Sequence, residues 1–136
     1  MLEKILLMSL RSPYLDDAKV YAPLGLLYLK AAINKELPSV SVDLRDDYDL
    51  SNPEMFESYS YIGLSVMTPQ REEALNVLNT IKSKYPDKRV ITGGPHALHY
   101  FHEVSKQPFD YIVTNDGQDS LVGILRGNSE RVSEVS

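Results

Sequence analysis
The chain has no cysteine, and that one absence excludes disulfides, thiolate zinc sites, iron–sulfur ligation and a cysteine nucleophile. A basic surface is missing as well. Lys and Arg number 14 against 19 Asp and Glu, a formal charge of -5 that argues against nucleic acid as a partner. No apolar run approaches the roughly 18 residues of a membrane-spanning helix, so no membrane partner is expected. The opening MLEKILLMSL carries Glu3 early and lacks a small-residue cleavage site, so it reads as a strand and not as a signal peptide. A cytoplasmic location is the resulting expectation.

Several catalytic and nucleotide-binding signatures are also missing. No glycine occurs between the first apolar run and Gly25. GxGxxG and GxxxxGK[ST] are therefore both absent where a pyrophosphate would be cradled, which argues against NAD, FAD and ATP. GxSxG is absent too, and no paired acids flank an obvious cleft.

What is present describes one ordinary globular domain. The 136 residues are 43% hydrophobic and 24% charged, enough to bury a core without staples. Five short apolar runs mark strands: Ile5–Met8, Val40–Leu44, Tyr61–Val66, Arg89–Thr92 and Asp110–Val113. Most are continuous and not alternating, as in strands covered on both faces. Between them lie segments of helical period. Leu26, Leu29, Ile33 and Leu37 form a stripe over Pro23–Leu37, ended by Pro38. Ala74, Val77, Leu78, Ile81 and Tyr85 form another over Gln70–Tyr85, with Thr68 and Pro69 as its expected N-cap and first turn. Shorter helices are expected over Ala97–Ser105 and Gln118–Arg126.

Strand and helix in alternation predict an α/β fold, a doubly wound five-stranded parallel sheet of flavodoxin-like (Rossmann-like) order 2-1-3-4-5. The domain is expected over residues 1–126, with 127–136 (GNSERVSEVS) as a polar tail or linker.

In such a sheet ligands bind beyond the carboxyl ends of the strands, so the loops that follow them hold the candidates. Asp43 at the end of the second run and Asp46, Asp47 and Asp49 after it fit either a magnesium-binding cluster or a solvated loop. A receiver-like phosphorylation site would need an aspartate after the third strand, where the chain has Ser65-Val66-Met67-Thr68. His96, His99 and His102 are spaced by three, so neighbours could share a metal on a helix, with Glu103 the one carboxylate nearby. Ser65, Val66, Thr68, Gly93, Gly94, Pro95, His96, Asn115, Asp116 and Gly117 then form a surface of small, hydroxylated and amide groups at three neighbouring strand tips. Missing side chains let a large flat ligand approach the backbone. For Gly93 and Gly94 two readings stand equally: they shape a turn, or they make room for a ligand.

Four segments extend the reading: APLGLLYLKAAI (Ala22–Ile33), YIGLSVMTPQREEALNVLNTIKSKYP (Tyr61–Pro86), RVITGGPHA (Arg89–Ala97) and FDYIVTNDGQDSL (Phe109–Leu121). In this order they resemble the N-terminal cobalamin (vitamin B12)-binding domain of cobalamin-dependent radical SAM enzymes. The resemblance implies a corrinoid carried across the carboxyl edge of the sheet. It implies Ser65 and Thr68 at the pocket for the dimethylbenzimidazole tail, with Val66 between them. Gly93, Gly94, Pro95 and His96 would lie along the nucleotide loop and corrin edge. Asn115 and Gly117 would approach the tail from the far side, and Leu24 and Gly25 would offer backbone proximity.

Two departures accompany it. The family's Gly-Glu-Gly-Glu-like turn is here Asn115-Asp116-Gly117-Gln118, which puts a contact from Gln118 in doubt. The Asp-x-His-x-x-Gly that supplies a lower cobalt ligand in methionine synthases and mutases is absent, since no histidine precedes His96. Base-off cobalamin without a histidine ligand is what this implies. S-adenosylmethionine and the iron–sulfur cluster would belong to a radical SAM catalytic domain in cis or trans, as no cysteine is present to hold a cluster. The chain is thus expected to be a carrier piece of a methyltransferase or cyclase, not a catalyst alone. The rival reading is a flavodoxin-like interaction domain with no cofactor.

Overall fold
The computed structural model describes residues 3–10, 24–114, 117–127 and 130–133. Strands β1 (Lys4–Ser9), β2 (Ser41–Arg45), β3 (Tyr61–Ser65), β4 (Arg89–Gly93), β5 (Tyr111–Val113) and β6 (Val132–Ser133) form one sheet of order β2-β1-β3-β4-β5-β6. Every pairing is parallel. Helices α1 (Leu24–Glu36), α2 (Arg71–Lys84), α3 (Pro95–His99), α4 (Phe101–Val104) and α5 (Gln118–Leu125) connect the strands. The flavodoxin-like order 2-1-3-4-5 is thus present, extended by one short strand.

Alternation along each strand assigns side chains to two cores. Leu6, Met8, Ile62, Leu64, Val90 and Ile112 face a cluster closed by Ala74, Val77, Leu78 and Ile81 of α2. Ile5, Leu7, Tyr61, Ile91, Tyr111 and Val113 face the other, closed by Leu26 and Ile33 of α1 and by Leu121, Val122, Ile124 and Leu125 of α5. Both faces being covered explains why β1 reads as an unbroken apolar run. Edge strand β2 is covered less and keeps Asp43 and Leu44 only half-buried.

The ends of the strands opposite the candidate site are tied by one carboxylate. Asp110 Oδ2 accepts the Val90 N–H at 2.7 Å and the Lys82 ammonium at 2.7 Å. The same ammonium also donates to the Lys88 carbonyl. This links α2 to the starts of β4 and β5.

Three details differ from the sequence reading. Residues 130–133, expected within a polar tail, reach the sheet and carry β6. The cause is Arg131, whose guanidinium donates to the carbonyls of Phe109, Ser105 and Gln107 and whose own carbonyl accepts Ile112 N–H. The helix expected over Ala97–Ser105 is two short ones, because Tyr100 leaves helical geometry (φ -122, ψ 37) and stacks its ring on His96. Thr68 does not cap α2. Gln70 does the local work instead, accepting Met67 N–H through Oε1 and donating from Nε2 to the Leu10 carbonyl.

Asp110→Ala leaves the Val90 N–H unpaired, so chemical denaturation is expected to show a loss of about 1–3 kcal/mol. An unchanged midpoint would remove this carboxylate from the list of structural ties.

Candidate functional site
The carboxyl edge of the sheet opens into a cavity of about 520 Å³ on the face covered by α1 and α5. This lies within the roughly 300–1,000 Å³ usual for small-molecule sites. Register explains why it exists. Leu7, Gly63 and Ile91 are partners across β1, β3 and β4, and Ser9, Ser65 and Gly93 are partners two residues nearer the edge. On the central strand of the face both positions are small, and Gly93 beside them has no side chain at all. The helices cannot follow the sheet into that hollow, so Leu26 and Leu29 of α1 and Leu121 of α5 become its walls.

The depth of the cavity is apolar and its mouth is not. Leu7, Gly63 and Ile91 lie two residues, about 6.6 Å, below the strand tips. Ser65, Thr114 and His99 line the cavity at the tips and just beyond, with Leu98 (54% exposed) at the rim.

The two glycines after β4 have different causes. Gly94 has φ +98, and a Cβ there would lie 2.9 Å from the Val66 carbonyl oxygen and 3.0 Å from its nitrogen. A turn of that shape needs glycine. Gly93 has no such constraint: a Cβ would meet only Val113 atoms, at 3.5 Å, which is ordinary contact. Glycine weakens a strand, so one that the protein's own packing does not require leaves room for a bend or for close approach by another group. Gly63 is intermediate, since its Cβ would meet the movable Leu7 Cδ2 at 2.8 Å.

Of the residues singled out in the sequence, Ser65, Gly93, Gly94, Pro95 and Gly117 line this cavity. Gly117 stands at the start of α5 with φ +90. Leu24 and Gly25 open α1, and Asn115 and Asp116 lie outside the described residues. Three others do not line it. Val66 turns into the opposite core, while its backbone accepts His96 N–H at 3.0 Å and donates to the Gly93 carbonyl at 2.9 Å. Thr68 and His96 form a brace behind the turn, with His96 Nδ1 3.3 Å from Thr68 Oγ1. Thr68, expected from the sequence to line a pocket, is aimed by the strand's alternation and the turn after it at His96 and not into this cavity. Gly63, Leu26, Leu29 and Leu121 were missed as lining residues, although Gly63 is the one glycine inside the five predicted strand runs.

His96 is 3% exposed and its Nε2 has no partner. Burial pushes its pKa below the ordinary imidazole value of 6.5; Glu103 opposes this and Arg71 adds to it. The three histidines do not converge. Among the described residues no group of three or more His, Asp or Glu could hold a metal. The acidic loop is engaged internally: Asp43 Oδ2 accepts the Tyr59 hydroxyl at 2.5 Å, and Asp49 Oδ1 accepts the Ser51 N–H and hydroxyl. Asp43, Asp46 and Asp47 share a shallow polar recess with Lys30 and Arg45.

Two expectations follow. Gly94→Ala should cost about 1–3 kcal/mol of stability, whereas Gly93→Ala should leave it unchanged or raise it by up to about 1 kcal/mol. Equal losses in thermal or denaturant unfolding would contradict the separate causes. For His96, the unfolded chain binds a proton that the folded chain resists. Its contribution is therefore whole above pH 6.5 and is lost as pH falls from 6.5 toward the lowered folded value. Unfolding across pH 4.5–7.5 should show a slope of up to about 1.4 kcal/mol per pH unit that His96→Gln removes. Parallel profiles for the two proteins would refute it.

No family model and no curated protein matches the chain. Solved structures are similar in fold. The N-terminal domain of a hypothetical protein from Thermotoga maritima superposes with a TM-score of 0.59 at 20% identity, over 82% of this chain and 88% of that one. The isolated REC domain of RcsB from Salmonella enterica serovar Typhimurium, determined with the phosphomimetic BeF3-, gives 0.63 at 12% identity, over 98% and 94%. At such identities the likeness establishes the flavodoxin-like fold and nothing finer. Among the described residues no helix is long and apolar enough to cross a membrane.

Proposed function
We propose that the chain is a corrinoid-binding module whose cavity receives the tail base of base-off cobalamin. The observation that carries this reading is Gly93: a strand glycine that the fold's own contacts do not require, placed on the wall of an apolar cavity. Three further features support it. The hollow is flanked by Gly63 and Ser65, so a planar group would meet backbone and a hydroxyl instead of bulky side chains. Its walls are leucines from α1 and α5, which suit an aromatic ring. Its mouth opens at the carboxyl edge of the sheet, beside the exposed apolar side chain of Leu98.

In this reading Gly63, Ser65 and Gly93 accommodate the base, and Gly94, Pro95 and Leu98 border the part of the ligand that remains outside. His96 touches no ligand; with Thr68 it holds the turn that keeps Gly93 and Gly94 in place. Bound there, the corrinoid would supply a cobalt-centred carrier for methyl transfer or radical chemistry. A radical SAM domain bringing S-adenosylmethionine and an iron–sulfur cluster would be the catalytic partner. The fold neighbour of REC type suggests a phosphoacceptor instead, but β3 here ends in Ser65 where that reading needs an aspartate.

Titration with hydroxocobalamin should give a base-off shift of the visible spectrum and co-elution with the protein. Ser65→Leu should weaken binding at least tenfold, about 1.4 kcal/mol, with an unchanged unfolding midpoint. Absence of any spectral change at ligand concentrations well above micromolar would discard the module, and unchanged affinity in the variant would remove Ser65 from the site.

A further inference from the structure
We infer that the cavity distinguishes corrinoids by their lower base, accepting a benzimidazole and disfavouring a purine. The inference rests on the corrinoid reading above and concerns a different property of the same site, namely which tail it admits.

It follows from where hydrogen-bonding groups are and are not. The floor is formed by Leu7, Gly63 and Ile91, on β1, β3 and β4. Each of these strands has a neighbour on both sides, so the floor's backbone N–H and C=O groups belong to the ladder. The side walls are Leu26, Leu29 and Leu121. The polar side chains of the lining, Ser65, Thr114 and His99, stand at or beyond the strand tips. A ring lowered past them therefore meets no free donor or acceptor from the floor or the leucine walls.

A dimethylbenzimidazole presents methyl and ring C–H groups at its leading edge and suits such a surface. An adenine presents an exocyclic amine and ring nitrogens there. Buried against the leucines these lose water without gaining partners, and an unpaired buried polar group is costly. An apolar pocket rejects a ligand with one added polar group by up to about a hundredfold. The expected preference is therefore about 10- to 100-fold in dissociation constant.

The test compares three corrinoids by spectroscopic titration and calorimetry on the full chain. They are cobalamin, its adenine-bearing analogue, and cobinamide, which lacks the base. Cobalamin should bind 10- to 100-fold more tightly than the adenine form, with cobinamide also weaker than cobalamin. Leu29→Gln places an amide on a half-buried wall position and should narrow the ratio a few-fold, which ties the preference to this cavity. Equal affinity for cobalamin and the adenine form overturns the inference while leaving the corrinoid module standing. Equal affinity for cobalamin and cobinamide also overturns it, since the base would then contribute nothing. Failure of all three to bind removes the module and the inference together.

Discussion
The registry between β1, β3 and β4 is the constraint on which the site depends. It aligns Leu7, Gly63 and Ile91 in one row and Ser9, Ser65 and Gly93 in the next, all on the face covered by α1 and α5. Parallel strands buried on both faces normally fill such rows with branched side chains. Here four of the six positions, Ser9, Gly63, Ser65 and Gly93, carry only a hydrogen or a hydroxymethyl group. A slip of one residue along β3 would exchange Gly63 and Ser65 for Ile62, Leu64 or Val66, and the hollow would vanish.

The turn after β4 keeps that hollow open from outside. Gly94 lies against the backbone of Val66, which also accepts His96 N–H and donates to the Gly93 carbonyl. The ends of β3 and β4 are thus clasped side by side and cannot splay. Gln70 extends the clasp to β1 through the Leu10 carbonyl. Behind it the His96 ring, stacked on Tyr100 at 5.1 Å and half-satisfied by Thr68, fills space that would otherwise let the clasp shift. The histidine in the GGPHA stretch therefore acts through packing, which explains why a buried ring with an orphan nitrogen occupies a loop position. Five small or turn-forming residues in a row serve two ends: Gly94 and His96 hold the backbone, and Gly93 leaves the room.

Much of this was legible in the sequence. The long periodic helices and continuous apolar runs fixed the elements to within a residue or two, because both cores demand those patterns. The loops after β3 and β4 were singled out from topology alone, and Ser65, Gly93, Gly94 and Pro95 do line a cavity there. What pattern could not separate was which side chains face which way beyond a strand tip. Val66 and Thr68 follow Ser65 directly, yet they leave the cavity for the opposite core and for His96. Gly63 was passed over because a glycine inside a strand announces itself only when its cross-strand partners are known. The sixth strand was hidden because two residues held by one arginine carry no periodicity at all.

The central claim is that one face of the sheet, and not the other, takes a flat apolar ring. Methyl resonances of the leucines, isoleucines and valines measured with free dimethylbenzimidazole address it directly. The account predicts shifts at Leu7, Leu26, Leu29 and Leu121, with Leu78, Ile81 and Ile62 of the opposite core unmoved. Shifts centred on the α2 face, or none at saturating ring concentration, would contradict it.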